Sequence, residues 1–146
     1  MSRAFVKDDD TGPEPVIPRP ISEAPNYVTP RGYTLLERSL EAAQTAHDER
    51  EVQYYKQRLD SAIVVPPLNR VESVATFGAT VTAHDARGTL LHIRIVGEDE
   101  ADPAHGLVSW ESPIAKAFTD RHVGDRVIVQ RPAGPLAYTI DDVHYE

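Results

Sequence analysis

Three groups of side chains in this 146-residue chain are of types and spacings that could do chemistry: the carboxylates Asp48, Glu49 and Glu51, six histidines, and the turn Trp110-Glu111-Ser112-Pro113-Ile114. Asp48-x-x-Glu51 brings two hard oxygen ligands within one helical turn, which suits Mg²⁺. The same spacing suits the first turn of a helix, where acidic side chains complement the backbone dipole with no metal involved. Residue type alone leaves both readings open. His47, His84, His92, His105, His122 and His144 form no i,i+4 pair and no metal-ligand spacing, so they read as surface or strand residues. No Ser-His-Asp order, phosphate-cradling glycine loop or Walker motif occurs. No metal site and no cofactor is therefore expected.

The Trp110 to Ile114 turn needs elements on both sides. Val108 to Trp110 are strand formers, Ser112 is a suitable N-cap, and Pro113 fits the first helical position. The pattern predicts a strand running into a short helix over 113–119, with Gly124-Asp125 turning into the alternating strand Arg126-Val-Ile-Val129. A corner stiffened by proline presents a rigid edge, and Trp110 makes it a candidate interface anchor; a core position is the other reading of Trp110.

The carboxylates need a different support. Thr29 and Pro30 mark a helix start, and Tyr33, Leu36, Leu40 and Ala43 then recur three and four apart. Val52, Tyr55, Leu59 and Ala62 repeat that spacing beyond a polar patch. Two short seams predict an antiparallel helical hairpin, turning near His47-Asp48, with arms of about 15 residues or roughly 23 Å. From Pro66-Pro67 the period falls to two, predicting strands at 76–83, 90–97, 106–110, 126–130 and 136–145 around the short helix. Residues 1–28 hold five prolines, Asp8-Asp9-Asp10 and few large apolar groups, and are expected to be a disordered tail. The expected organisation is a tail at 1–28, a hairpin at 29–65 and a β domain at 66–146.

Fifteen basic against twenty-three acidic residues give a net charge of −8, which argues against a protein that coats nucleic acid by itself. Arg87, Arg94, Lys116, Arg121, Arg126 and Arg131 belong to a region with more acids than bases, so a mixed solvated surface is expected there. There are no cysteines, no apolar run of membrane-spanning length and no signal-peptide core. A cytoplasmic protein with no membrane association is expected.

In order and spacing, Thr29-Pro-Arg-Gly-Tyr33, Phe77-Gly-Ala-Thr-Val81, Ile95 to Asp102, Ser109 to Ala117, Val123-Gly-Asp125 and Pro132-Ala-Gly134 resemble the GreA/GreB transcript-cleavage factors. The resemblance implies an α+β fold in which a short N-terminal antiparallel helical hairpin precedes an FKBP-like antiparallel β domain with one short helix. It implies bacterial RNA polymerase as partner, with the hairpin in the secondary channel and DNA or RNA met only inside that complex. The polymerase-binding residues would be Trp110, Glu111, Ser112, Pro113 and Ile114.

The family's tip loop, Gly-Asp-x-Ser-Glu-Asn, supplies carboxylates to a polymerase Mg²⁺, and here it is replaced by His47-Asp-Glu-Arg-Glu51 on much shorter arms. The chain therefore looks like a short-armed, Rnk-like member. It is expected to be a monomeric, non-enzymatic regulator of elongation that does not stimulate cleavage. The alternative is a cleavage factor lending Asp48, Glu49 or Glu51 to the metal, and a third reading keeps the fold as an interaction module alone. Prolyl isomerase activity is not expected, because most of Phe77, Trp110, Phe118, Tyr138 and Tyr145 are needed for the core.

Overall fold

A computed structural model describes residues 15–67 and 73–145. The first fourteen residues of the expected tail, with Asp8-Asp9-Asp10, lie outside the described residues, as does the stretch 68–72. Helix α1 (Pro30–Thr45) starts where Thr29 Oγ1 accepts the Gly32 amide at 2.9 Å, with Pro30 at the first helical position. Helix α2 (Glu49–Ser61) starts at Asp48, whose carboxylate accepts the Glu51 amide at 3.2 Å. Between them His47 takes a left-handed φ of 54°, which reverses the chain. The two helices form the expected hairpin, with Leu36 and Ala43 buried and Leu40 and Leu59 only partly covered.

Two features of this half differ from expectation. Helix α2 stops at Ser61, because Ala62 is extended, and the chain enters a short strand β2 (Ile63–Val64) before Pro66-Pro67 is reached. Residues 15–28, expected within an unstructured tail, include strand β1 (Tyr27–Val28), paired in parallel with β2. Asn26 and Val28 are buried there, so a few well-placed contacts offset the ordering cost that composition alone made prohibitive.

The second half is a five-stranded sheet in the order β5-β4-β3-β7-β6. Its strands are β3 (Thr80–His84), β4 (Leu90–Val96), β5 (Leu107–Ser109), β6 (Arg126–Val129) and β7 (Leu136–His144). The sheet is mixed, not wholly antiparallel, since β5 runs parallel to β4. A short 3₁₀ turn at Pro103–His105, closed by Gly106 at φ 77°, brings the chain back along β4 in the same direction. Strand β3 begins later than the expected 76, because Gly78 turns the backbone at φ 88°. Alternate residues of the sheet, including Val81, Ile95, Val127 and Ile140, close over Ala115 and Phe118 of helix α3 (Pro113–Phe118).

Burial ranks the expected cost of truncation. Leu36→Ala should destabilise the protein by about 2–5 kcal/mol in urea unfolding, and Leu40→Ala or Leu59→Ala by less, because part of their surface already meets water. Phe118→Ala should cost about 3–5 kcal/mol. Equal losses at Leu36 and Leu40 would contradict the hairpin packing.

Candidate functional site

The turn after β5 is held from inside. Trp110 N–H donates to the Val96 carbonyl at 2.9 Å, and the Ser112 amide and hydroxyl both donate to the Ser109 carbonyl, at 2.9 and 2.6 Å. Ser112 then caps α3 by accepting the Ala115 amide at 3.3 Å. With Ala115 and Phe118 locked in the core, Glu111 and Pro113 are carried on a fixed base. Pro113 is exposed, Glu111 lies 3.5 Å from Lys116 Nζ, and Ile114 packs partly against the core. Trp110 is neither free nor fully buried: its ring meets Tyr27 edge-on at 5.1 Å. Tyr27, Phe77, Ile95, Trp110, Lys116, Thr119 and Asp120 enclose a concavity of about 370 Å³.

At the hairpin tip the three carboxylates have different surroundings. Asp48 caps α2, and Glu51 accepts Arg19 Nη1 at 2.9 and 3.0 Å. Glu49 is exposed in the first turn of α2. Two of the three therefore have local partners that do not require a metal. Among the described residues no group of three or more histidine, aspartate or glutamate side chains could hold a metal ion. No helix there is long and apolar enough to cross a membrane.

The turn and the tip belong to different halves, and an acidic loop after β4 joins them. Asp99 accepts the Tyr54 hydroxyl on Oδ1 and Arg58 Nε on Oδ2 at 2.6 Å. Glu100, with its side chain 1% exposed, accepts the Thr29 hydroxyl at 2.5 Å and Arg31 Nη1 at 2.8 Å. Burial, reinforced by the hydrogen bond to Asp99 and its charge, pushes the Tyr54 phenol up to about 12. The spacing of Val52, Tyr55, Leu59 and Ala62 predicts a buried face that the structure shifts by one position, since the buried residues of α2 are Tyr54 and Arg58.

Residues 70–145 match the family model for the C-terminal domain of transcription elongation factor GreA/GreB. The chain belongs to the GreA/GreB family. It is 38% identical over 102 residues to transcription elongation factor GreA of Nautilia profundicola, an alignment covering 69% of this chain and 63% of that protein. With transcription elongation factor GreB of Yersinia pestis it shares 36% identity over 97 residues, covering 66% of this chain and 57% of the other. The chain thus spans about three fifths of the length of these two relatives. Among solved structures, the GreA/GreB factor of Nitrosomonas europaea aligns at 24% identity and a TM-score of 0.48, over 82% of this chain and 99% of that one.

The raised Tyr54 value gives a test of the junction in this family member. A phenol ionises near 10 when unfolded, and Tyr54 near 12 when folded. Its contribution to stability is therefore complete below pH 10 and lost between about 10 and 12, because the unfolded chain releases that proton first. Tyr54→Phe should remove one phenolate absorbance step near pH 12 and flatten the fall in stability over that window. A lost step near pH 10, the ordinary phenol range, would show that Tyr54 is not held by Asp99.

Proposed function

We propose that this chain is a transcription elongation factor that binds bacterial RNA polymerase at the secondary channel without stimulating transcript cleavage. The observation that carries the second half of this reading is the engagement of the tip carboxylates: Asp48 caps α2, and Glu51 is paired with Arg19. Lending Glu51 to a metal would compete with Arg19, which takes both of its oxygens, and a metal at Asp48 Oδ1 would compete with the helix cap. Arm length points the same way, since the 16 residues of α1 span only about 24 Å. Kinship with named elongation factors supports the first half. The rigid corner from Trp110 to Ile114 supports that surface as the polymerase contact, with Glu111 and Pro113 as its accessible part. In this reading the protein acts by occupying the channel, is not itself an enzyme, and meets RNA or DNA only within the polymerase complex.

Two measurements test the reading. Glu111→Arg with Pro113→Ala changes partly or fully exposed positions and should weaken binding to core polymerase by about tenfold or more while leaving the fold intact. Ile114→Asp would be a poorer choice, because Ile114 also packs on the core. In backtracked complexes with 3′-labelled RNA and Mg²⁺, the protein should produce no cleavage and should compete with a long-armed Gre factor. Asp48→Asn with Glu51→Gln should leave that competition largely unchanged, since Asn still caps a helix and Gln still accepts from Arg19. Cleavage that disappears in the double variant would identify a compact cleavage factor instead. No association with polymerase at micromolar concentration would leave an interaction module with another partner.

A further inference from the structure

The segment before α1 touches α2 at its tip, its middle and its root. Pro15, Val16 and Ile17 share a concavity with residues Ala46 to Arg50 of the tip. Arg19, set between Pro18 and Pro20, places its guanidinium 3.8 Å from the centroid of the Tyr54 ring while its Nη1 bonds both oxygens of Glu51. At the root, the buried Asn26 side chain donates to the Arg58 carbonyl at 2.7 Å and to Ser61 Oγ at 3.1 Å, and accepts from Arg58 Nη2 at 2.7 Å. Tyr54 and Arg58 are also the two residues of α2 that hold Asp99 of the β domain. One polar network therefore runs from Glu51 through Arg19, Tyr54, Asp99 and Arg58 to Asn26.

We infer that residues 15–28 form a strap that sets the direction in which the hairpin points from the β domain, with Arg19 and Asn26 as its positioning residues. The side chains of the acidic loop grip the hairpin at its root, through Asp99 and Glu100. A helix about 24 Å long turns a small rotation there into a large displacement of the tip. The strap supplies a second line of attachment along α2. Its far end is tied to the β domain independently, by Tyr27 against Trp110 and Phe77. Proline on both sides of Arg19 restricts the backbone before docking, which lowers the entropy lost when the arginine engages. The Arg19 contact is partly exposed, with side-chain exposures of 35% and 32% for its two partners, so salt should weaken it. The Asn26 contacts are buried and should resist salt.

This inference stands apart from polymerase binding and can be tested on the protein alone. The chain has no cysteine and one tryptophan, Trp110, so a thiol-reactive acceptor dye on Thr45→Cys reports the distance from the tip to the β domain. Time-resolved energy transfer should give one narrow distance distribution. Arg19→Ala should broaden it without lowering helix content, Arg19→Lys should restore it in part, and raised salt should mimic Arg19→Ala. Asn26→Ala should broaden it further and speed amide exchange in β1 and β2 by about tenfold. A distribution as narrow in Arg19→Ala and Asn26→Ala as in the parent would overturn the inference, whatever happens to the unfolding midpoint. A broadening with Glu23→Ala equal to that with Arg19→Ala would also overturn it, since Glu23 is exposed.

Discussion

At the centre of the junction between the two halves of this protein is one carboxylate with two donors. Asp99 faces the Tyr54 hydroxyl and the Arg58 guanidinium, in a place where Arg58 is 2% exposed. Loss of Asp99 would leave the buried Arg58 cation with Asn26 but without its counter-charge, and the Tyr54 hydroxyl without its acceptor. Removing one partner from such a pair costs about 3–5 kcal/mol, although the intact pair adds much less to stability than that. What the contact contributes is specificity of placement. The charges can meet only when the root of α2 lies on the loop after β4. The positions of β1 and the root of α1 then follow.

Close approach of backbones makes that placement possible. A Cβ on Gly97 would sit 2.3 Å from the Tyr27 carbonyl oxygen, and one on Gly32 would sit 2.8 Å from Glu100 Oε1. A side chain at Gly97 would therefore push the hairpin root away, and one at Gly32 would press the Glu100 carboxylate off Thr29 and Arg31. Tyr27 would move with the root, and so would the ring that covers one edge of Trp110. The surface around the Trp110 turn is therefore built by both halves, even though the turn itself lies in the β domain.

The tip shows how local stability bears on chemistry. A short hairpin has few contacts with which to hold its reversal, and here Asp48 and Glu51 supply two of them. Carboxylates that close a helix end and neutralise an arginine are poorly placed to leave for a metal. The proposed role, occupying a channel without lending ligands there, is consistent with that use of the residues. Family membership and the geometry of the tip thus bear on different questions: one concerns the partner, the other what can be done once the partner is met.

Local signals in the sequence determined the elements. Thr29-Pro30, Asp48 and Ser112-Pro113 each start a helix through contacts within three residues, and the seam with Leu36 and Ala43 names one face of α1. The β period in Arg126 to Val129 and the glycine at 124 are legible for the same reason, since backbone geometry there answers to nearest neighbours. Tertiary structure alone decided the partners of Tyr54, Arg58, Asn26 and Arg19, whose contacts span 32 to 45 residues of sequence. Polar residues carry no periodic mark of burial, so nothing in the chain reads Arg58 as a core residue or the proline-rich segment as a strap. The parallel placement of β5 was hidden likewise, because direction within a sheet depends on the path of the connection and not on the strand's own residues.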